Sequence, residues 1–215
     1  IVELVKKGIT AREILNEKSI KNAIMVLMAI GGSTNAVLHL TAVGNELGIP
    51  PEKVMGWIEE YSKKIPQIVS ICPASRKDDM EEFYYAGGVP EVMKRLAECL
   101  YTENMTASGL PLSENLKNYV NLYDHRNDMI HSMDDPVSTL AGIAVMHGNL
   151  APNTGISKAA GIAECARRFQ GTAICFDCEE DCLKAIGEDR IHAGHVVVVR
   201  YEGPKGGPGM REMFK

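Results

Sequence analysis

Apolar residues recur at helical spacing through the first third of the chain. The segment Thr10-Ala-Arg-Glu13 is a capping box, which marks the start of a helical region. Gly31-Gly32 ends the next apolar run, and Trp57 and Ile58 take the buried positions of a later one. The pattern predicts helices over Ile20 to Ile30, Ala36 to Leu47 and Pro51 to Tyr61.

Shorter elements are predicted between these helices and residue 122. Gln67 to Ile71 is apolar and β-branched, which favours a strand. Asp78 or Asp79 can cap a helix that runs to Tyr85, and Ser113 can cap another. The remaining predicted helices are Pro90 to Leu100 and Glu114 to Tyr119.

The pattern changes from helix to strand after a polar, turn-rich segment over residues 123 to 136. Period-two and β-branched runs predict strands over Ser138 to Met146, Thr172 to Phe176 and His195 to Tyr201. We therefore place a domain boundary near residue 122, with one domain part over 1–122 and a second over 123–215.

Composition and charge exclude several classes of protein. The 215 residues are 45% hydrophobic and 24% charged, with a net charge of -5, as in an ordinary soluble globular protein. The acidic balance argues against sequence-independent nucleic-acid binding, because that binding depends on basic residues. The most apolar stretch, Ala23 to Ile30, is far shorter than a membrane span, so we expect no membrane insertion and a cytoplasmic location.

The two ends of the sequence indicate an excerpt of a longer protein. The first residue is Ile1 rather than Met, and Met210 to Lys215 resembles the opening of an unfinished helix. We expect the native protein to extend beyond both ends of this sequence.

The glycine-rich segment Gly203 to Gly209 is the first candidate site. It follows a valine-rich strand, and glycines at such a junction let backbone amides approach an anion. A carboxylate one turn into the following helix, Glu212, could hold a hard cation. On pattern alone, a merely tight turn explains these residues equally well.

A second candidate is Gly31-Gly-Ser-Thr-Asn35, between a helix end and a helix start. Its hydroxyl and amide groups could cap the second helix or contact a ligand, and capping alone would account for them.

Three cysteines at Cys175, Cys178 and Cys182 have a spacing that could offer thiolates to zinc or an iron-sulfur cluster. Acidic neighbours would raise the thiol pKa values, and no fourth ligand has the usual spacing. We therefore interpret them as free thiols. His192 and His195 are interpreted as surface histidines.

Four segments, in order, resemble one family. They are Gly31-Gly-Ser-Thr-Asn-Ala-Val-Leu-His-Leu40, Ala86-Gly-Gly-Val-Pro-Glu-Val-Met-Lys94, His147-Gly-Asn-Leu-Ala-Pro152 and Arg200-Tyr-Glu-Gly-Pro-Lys-Gly-Gly-Pro-Gly-Met-Arg-Glu-Met213. The chain is similar, essentially from end to end, to the dihydroxy-acid and 6-phosphogluconate dehydratase family.

The resemblance implies a hydro-lyase that converts a 2,3-dihydroxy carboxylate to a 2-oxo acid. In the family a serine is the base, Mg²⁺ stabilises the enolate, and an iron-sulfur cluster assists loss of the C3 hydroxyl. Glu212 matches the glutamate ligand of Mg²⁺. The cluster cysteines, the other Mg²⁺ ligands and the serine belong to segments outside this chain, so we expect the chain alone to be inactive and to contain no catalytic residue.

Further site residues are implied by the same resemblance. The residues expected to bind substrate are Ser33, Thr34 and Asn35. Those expected in an active-site loop are Gly203, Pro204, Lys205, Gly206 and Gly207. The two groups are expected to face each other across a cleft between domains.

The implied fold class is α/β: the end of an α/β domain followed by the start of a β-barrel-like C-terminal domain. The implied role is in branched-chain amino acid biosynthesis, with a homo-oligomeric full-length enzyme and a small dihydroxy acid as its partner. A sugar-acid or 6-phosphogluconate dehydratase is the nearest alternative. A noncatalytic relative that binds an anion or cation through the glycine loop is an alternative of another class.

Overall fold

The computed structural model describes residues 1–72, 74–75, 77–123, 126 and 128–203. The chain forms two compact units, the first over Ile1–Ile162 and the second beginning at Ala163. The helices are α1 (Val2–Lys6), α2 (Ala11–Ile14), α3 (Glu17–Ile30), α4 (Asn35–Glu46), α5 (Pro51–Lys64), α6 (Met80–Tyr85), α7 (Gly88–Arg95), α8 (Leu112–Asn118) and α9 (Glu179–Gly187). The strands are β1 (Ala144–Met146), β2 (Gly155–Ser157), β3 (Thr172–Phe176) and β4 (His195–Val199). Over the described residues, no helix is both long and apolar enough to cross a bilayer.

Helix α3 is the centre of the first unit. The Asn16 side chain accepts the backbone N–H groups of Lys18 and Ser19, so two donors of the first turn are satisfied. The helix contacts α4, α5 and α7, and it ends at Gly31 in the left-handed conformation. The core around it includes fully buried side chains at Ile24, Met28, Val54, Ile58, Ile68, Val92 and Ile143. The predicted helix over Ile20 to Ile30 is confirmed and begins three residues earlier.

Local sequence signals predict several other helices of this unit well. The capping box of Thr10 and Glu13 is present, and Asp79 caps α6 by accepting the N–H groups of Glu81 and Glu82. Helices α4 and α5 confirm the predictions over Ala36 to Leu47 and Pro51 to Tyr61. Trp57 and Ile58 are buried, as predicted.

Two later helices differ from their predicted bounds. Helix α7 begins at Gly88 and ends at Arg95, where Pro90 to Leu100 was expected, because residues after Arg95 continue as hydrogen-bonded turns. Helix α8 begins at Leu112 after Pro111, and Ser113 lies inside it rather than capping it.

The predicted strand over Gln67 to Ile71 is wrong. The N–H groups of Ile68 and Val69 both donate to the Ala29 carbonyl, at 2.9 and 3.2 Å. Among the described residues, only Gln67 of this segment pairs with another extended segment, at Ser138. This segment covers the carboxyl end of α3, where helical carbonyls lack partners within the helix. Its donors therefore go to a helix end instead of a strand ladder.

The predicted strand over Ser138 to Met146 is mostly wrong for a related reason. Gly142 donates its N–H to the Met28 carbonyl at 3.0 Å, so residues near it also pack on the end of α3. Only Ala144–Met146 forms a strand, which pairs antiparallel with Gly155–Ser157.

The second unit pairs β3 and β4 in parallel, with α9 between them in sequence. The register joins Thr172 to His195 and Phe176 to Val199. Phe176, Cys182 and Ala185 form a small core between strand and helix. The strand Thr172–Phe176 is confirmed, and the last strand ends at Val199 rather than Tyr201 because Tyr201 has φ +61. The β-barrel character and the boundary near residue 122 stay predictions.

Arg126, in the segment before Met129, forms ion pairs with residues in and just before α6. Its guanidinium donates to Glu82 at 2.8 Å and to Asp78, and it pairs more loosely with Asp128 at 3.4 Å. The hydrogen bond from Arg126 holds the pKa of Asp78 below its usual value.

Replacing Arg126 by alanine is expected to lower the Tm at neutral pH, and to lower it much less once the pH falls below the folded pKa of Asp78. Because the folded pKa of Asp78 is lowered, its ion pair stabilises the protein above the unfolded pKa of about 3.9 and is lost as the pH falls through the folded value. Thermal unfolding of both proteins from about pH 7 down to about pH 2 measures this. Arg12→Ala, which removes an exposed arginine, is the control; a Tm difference for Arg126→Ala that does not shrink in acid would contradict the assignment.

Candidate functional site

The turn Gly31 to Asn35 joins α3 to α4 and rests on a tightly packed base. Gly31 has φ +59, and Gly32 donates its N–H to the Leu27 carbonyl at 3.1 Å. Behind the turn, a Cβ on Gly142 would lie 2.1 Å from the Gly31 Cα. The backbone position of the turn is therefore fixed by close contact as well as by hydrogen bonds.

The side chains of the turn divide between capping and exposure. The Ser33 hydroxyl accepts the Asn35 backbone N–H at 3.2 Å, and the Ser33 carbonyl accepts the Ala36 N–H at 3.1 Å. Thr34 occupies the N-cap position of α4 but makes no side-chain capping bond there. Ser33 thus has the local capping role that the sequence allows, while its side chain is exposed. Substrate binding by Ser33, Thr34 and Asn35 stays a prediction.

An apolar groove of about 550 Å³ opens beside this turn, between α3, α4 and α7. Ser33, Asn35 and His39 are its polar members. Its apolar lining is Ala23, Val26, Leu27, Ile30, Ala36, Leu40, Val89 and Met93. The surface of the groove is almost wholly apolar even beside these three residues, so the groove suits an apolar group such as an alkyl tail.

The groove includes residues that the sequence did not identify as candidate site residues. Leu40 lies four residues after Ala36 on the same helix. Helical spacing therefore predicts that Leu40 lies on the same side of α4 as Ala36. Val89 and Met93 come from α7, and nothing in the local sequence indicates that α7 packs on α3 beside this groove.

The second predicted site lies largely outside the described residues. Gly203 is exposed and lies four residues after the end of β4 at Val199. Pro204, Lys205, Gly206, Gly207 and Glu212 lie outside the described residues, so their predicted roles stay predictions. The expected cleft between this loop and the Gly31 turn also stays a prediction.

The cysteine array surrounds the junction of β3 and α9. Cys175 is exposed on the strand, Cys178 lies at the N-cap of the helix, and Cys182 is buried. A backbone hydrogen bond at Asp181 acts to lower the pKa of Cys178, but burial and the Asp181 and Glu180 carboxylates outweigh it and raise the pKa. The predicted direction of the thiol pKa is confirmed for Cys178.

His192 and His195 are close to each other but engaged locally. The His192 backbone N–H donates to His195 Nδ1 at 3.0 Å, which assigns the neutral ring proton of His195 to Nε2. In the part of the chain that the structure describes, no three His, Cys, Asp or Glu side chains form a group that could hold a metal ion.

Sequence comparison matches both parts of the chain to one family of enzymes. The N-terminal family model, "Dihydroxy-acid/6-phosphogluconate dehydratase N-terminal", covers residues 1–115. The corresponding C-terminal model covers residues 128–215. The chain therefore belongs to the dihydroxy-acid/6-phosphogluconate dehydratase family, and the resemblance drawn from its motifs is confirmed.

Within that family, the similar curated relatives are dihydroxy-acid dehydratases. The chain is 45% identical over 215 residues to the enzyme of Thermodesulfovibrio yellowstonii, 43% identical over 217 residues to that of Methanosarcina barkeri and 44% identical over 217 residues to that of Ignicoccus hospitalis. Each match covers all of this chain and 38% of the relative, so the chain spans well under half of their length.

Proposed function

We propose that this chain is part of a dihydroxy-acid dehydratase, a hydro-lyase that converts a 2,3-dihydroxy carboxylate to a 2-oxo acid in branched-chain amino acid biosynthesis. The observation that carries the proposal is similarity over the whole chain to relatives named for that activity, at 41 to 45% identity. Both family models match in the expected order.

The groove beside the Gly31 turn supports a branched alkyl substrate. An apolar tail would lie against Leu40, Val89 and Met93. The polyhydroxy tail of a sugar acid would lose hydrogen bonds to water in such a lining without gaining others. The groove therefore favours the dihydroxy-acid substrate over the sugar-acid alternative.

The cofactors of the proposed enzyme are Mg²⁺, with Glu212 as one ligand, and an iron-sulfur cluster. When bound, these would supply the positive charge that stabilises an enolate and assists loss of the C3 hydroxyl. No described residue is assigned to either group. Within this proposal the described residues bind and orient the substrate. A β-barrel-like C-terminal domain, a homo-oligomeric full-length enzyme and a cytoplasmic location belong to the same proposal.

The test uses the protein encoded by the complete gene. We expect it to form a 2-oxo acid from a branched 2,3-dihydroxy acid, measured as the hydrazone, much faster than from 6-phosphogluconate. Preference for 6-phosphogluconate would favour the sugar-acid alternative, and absence of turnover with either would favour the noncatalytic one.

Leu40→Gln in the complete protein is expected to lower kcat/KM for the branched substrate about tenfold, because the tail would then meet an amide in the groove. Leu38→Gln is the matched control, since Leu38 lies on the same helix but is exposed and outside the groove lining. Equal kinetics for both variants would remove the groove from the substrate site.

A further inference from the structure

The contacts at the end of β4 continue the register of the parallel sheet beyond its last paired residues. Each paired position of β3 is 23 residues from its partner in β4, up to Phe176 and Val199. The same offset of 23 joins the next contacts, which are made by side chains: Arg200 pairs with Asp177, and Glu202 bonds to Glu179. The chain leaving β4 is thus attached to the chain that leads from β3 into α9.

Glu202 caps α9 from a distance in sequence. Its Oε1 accepts the backbone N–H of Glu179 at 2.8 Å. Glu179 is the first residue of α9, so its backbone N–H has no carbonyl acceptor within the helix. Glu202 therefore satisfies one of the four N–H donors that the first turn of a helix leaves without an intrahelical partner. A carboxylate here also interacts favourably with the helix dipole.

Other acidic side chains already stabilise the start of α9 without Glu202. The first turn already carries Glu179, Glu180 and Asp181, which complement the dipole and repel a further carboxylate. In addition, Glu202 Oε2 is shielded from solvent and has no hydrogen-bond partner among the described residues. Because three acidic side chains already occupy the first turn, a further acid at position 202 adds little to the stability of the helix.

The backbone around Glu202 makes the attachment specific. Tyr201, just before it, has φ +61, which an aromatic residue rarely adopts. Arg200 donates its backbone N–H to the Phe176 carbonyl at 2.8 Å, the last bond between the two strands. Three consecutive residues thus have distinct roles: Arg200 bonds to β3, Tyr201 turns the backbone through the left-handed conformation, and Glu202 caps α9. Together they fix the place and direction in which Gly203 leaves the sheet.

We propose that Glu202 is a positioning residue, whose bond to the start of α9 sets the position of Gly203 at the carboxyl end of the parallel strands. In α/β sheets that end is where ligands bind. The inference rests on the proposed function, because the position of Gly203 affects catalysis only if the complete protein is a dehydratase. Glu202 acts through the backbone and is not assigned a contact with substrate.

The test compares three variants in the complete protein. Glu202→Ala removes the cap. Glu202→Gln keeps an oxygen at the same reach, while Glu202→Asp keeps the charge and shortens the reach by one methylene. Amide hydrogen exchange in the first turn of α9 reports the cap, and kcat and KM with a branched 2,3-dihydroxy acid report positioning. Glu164→Ala, which alters an exposed glutamate of the same unit, is the control.

We expect Glu202→Ala and Glu202→Asp to accelerate exchange at the start of α9 about fivefold and to lower kcat/KM about tenfold, with Glu202→Gln near the unaltered protein in both. Faster exchange with unchanged kinetics would reduce Glu202 to a structural cap. Activity kept by Asp and lost by Gln would show that charge, not reach, matters, and would overturn the proposal. If Glu202→Ala does not fold, the comparison of Glu202→Asp with Glu202→Gln still tests the positioning role.

The proposed function can fail separately. Absence of turnover in the unaltered protein would overturn the proposed function and the positioning role with it, while the exchange rates would still test the cap. Turnover in the unaltered protein that all three variants retain would overturn the positioning role alone.

Discussion

Gly142→Ala is expected to destabilise the protein by more than about 3 kcal/mol, or to prevent folding. An added Cβ would lie 2.1 Å from the Cα and 2.8 Å from the N of Gly31, and these are backbone atoms that no rotamer change can move. Gly142 itself cannot shift freely. Its N–H donates to the Met28 carbonyl, and its carbonyl accepts the N–H of Ala160 at 3.1 Å.

Chemical denaturation of the purified variants measures this effect. Gly56→Ala is the matched control, because Gly56 is exposed within α5 and a Cβ there would meet nothing within 4 Å. Alanine at this helical position is expected to stabilise the protein by about 0.5 to 1 kcal/mol. A Gly142→Ala variant as stable as the unaltered protein would mean that residues 31 and 142 do not pack as described.

The contact between Gly31 and Gly142 also connects stability to the candidate site. The Gly31 turn positions Ser33 and Asn35 at the groove, and the residues behind that turn carry no candidate chemistry of their own. A larger residue at position 142 would displace the turn even if the fold survived. Loss of stability and loss of substrate binding are therefore expected together at this position.

Helices were predictable because their signals are local. The Asp79 carboxylate caps donors two and three residues away, and Gly31 ends α3 through its own left-handed conformation. The capping box of Thr10 and Glu13 likewise spans four residues. Short-range patterns of this kind can be read from the sequence without knowing what the helix packs against.

The segment Gln67 to Ile71 could not be predicted in the same way. Its apolar, β-branched residues favour extended backbone, and the backbone at Ile65 is extended. What decides against a strand is that Ile68 and Val69 donate to Ala29, nearly forty residues earlier. Because that acceptor belongs to a helix end, no period-two pattern could indicate it.

The candidate site was predictable only in part. The Gly31 to Asn35 turn was identified from its glycines and hydroxyls, but the groove beside it depends on Val89 and Met93 from a helix more than fifty residues away. The role of Glu202 is equally nonlocal, since the donor that it satisfies is 23 residues earlier. Sequence patterns indicate where the backbone forms an unusual turn, such as Gly31 to Asn35. Tertiary packing determines which side chains lie beside that turn.

Asn22→Leu is the second substitution expected to have a large effect, at about 3 kcal/mol of lost stability. Asn22 is buried in α3 and makes two hydrogen bonds to the backbone of Tyr101. Its Nδ2 donates to the Tyr101 carbonyl at 3.1 Å, and its Oδ1 accepts the Tyr101 N–H at 2.8 Å. Leucine has a similar shape but leaves both backbone groups without these partners.

Chemical denaturation of Asn22→Leu and of Asn45→Leu separates this effect from the general consequence of adding an apolar residue to a helix. Asn45 is exposed on α4, so its replacement is expected to change stability by less than about 0.5 kcal/mol. Comparable stability of the two variants would contradict the assigned role of Asn22. Since leucine conserves most of the buried volume, little of the loss at position 22 can come from a cavity, and the unpaired N–H and carbonyl of Tyr101 account for it.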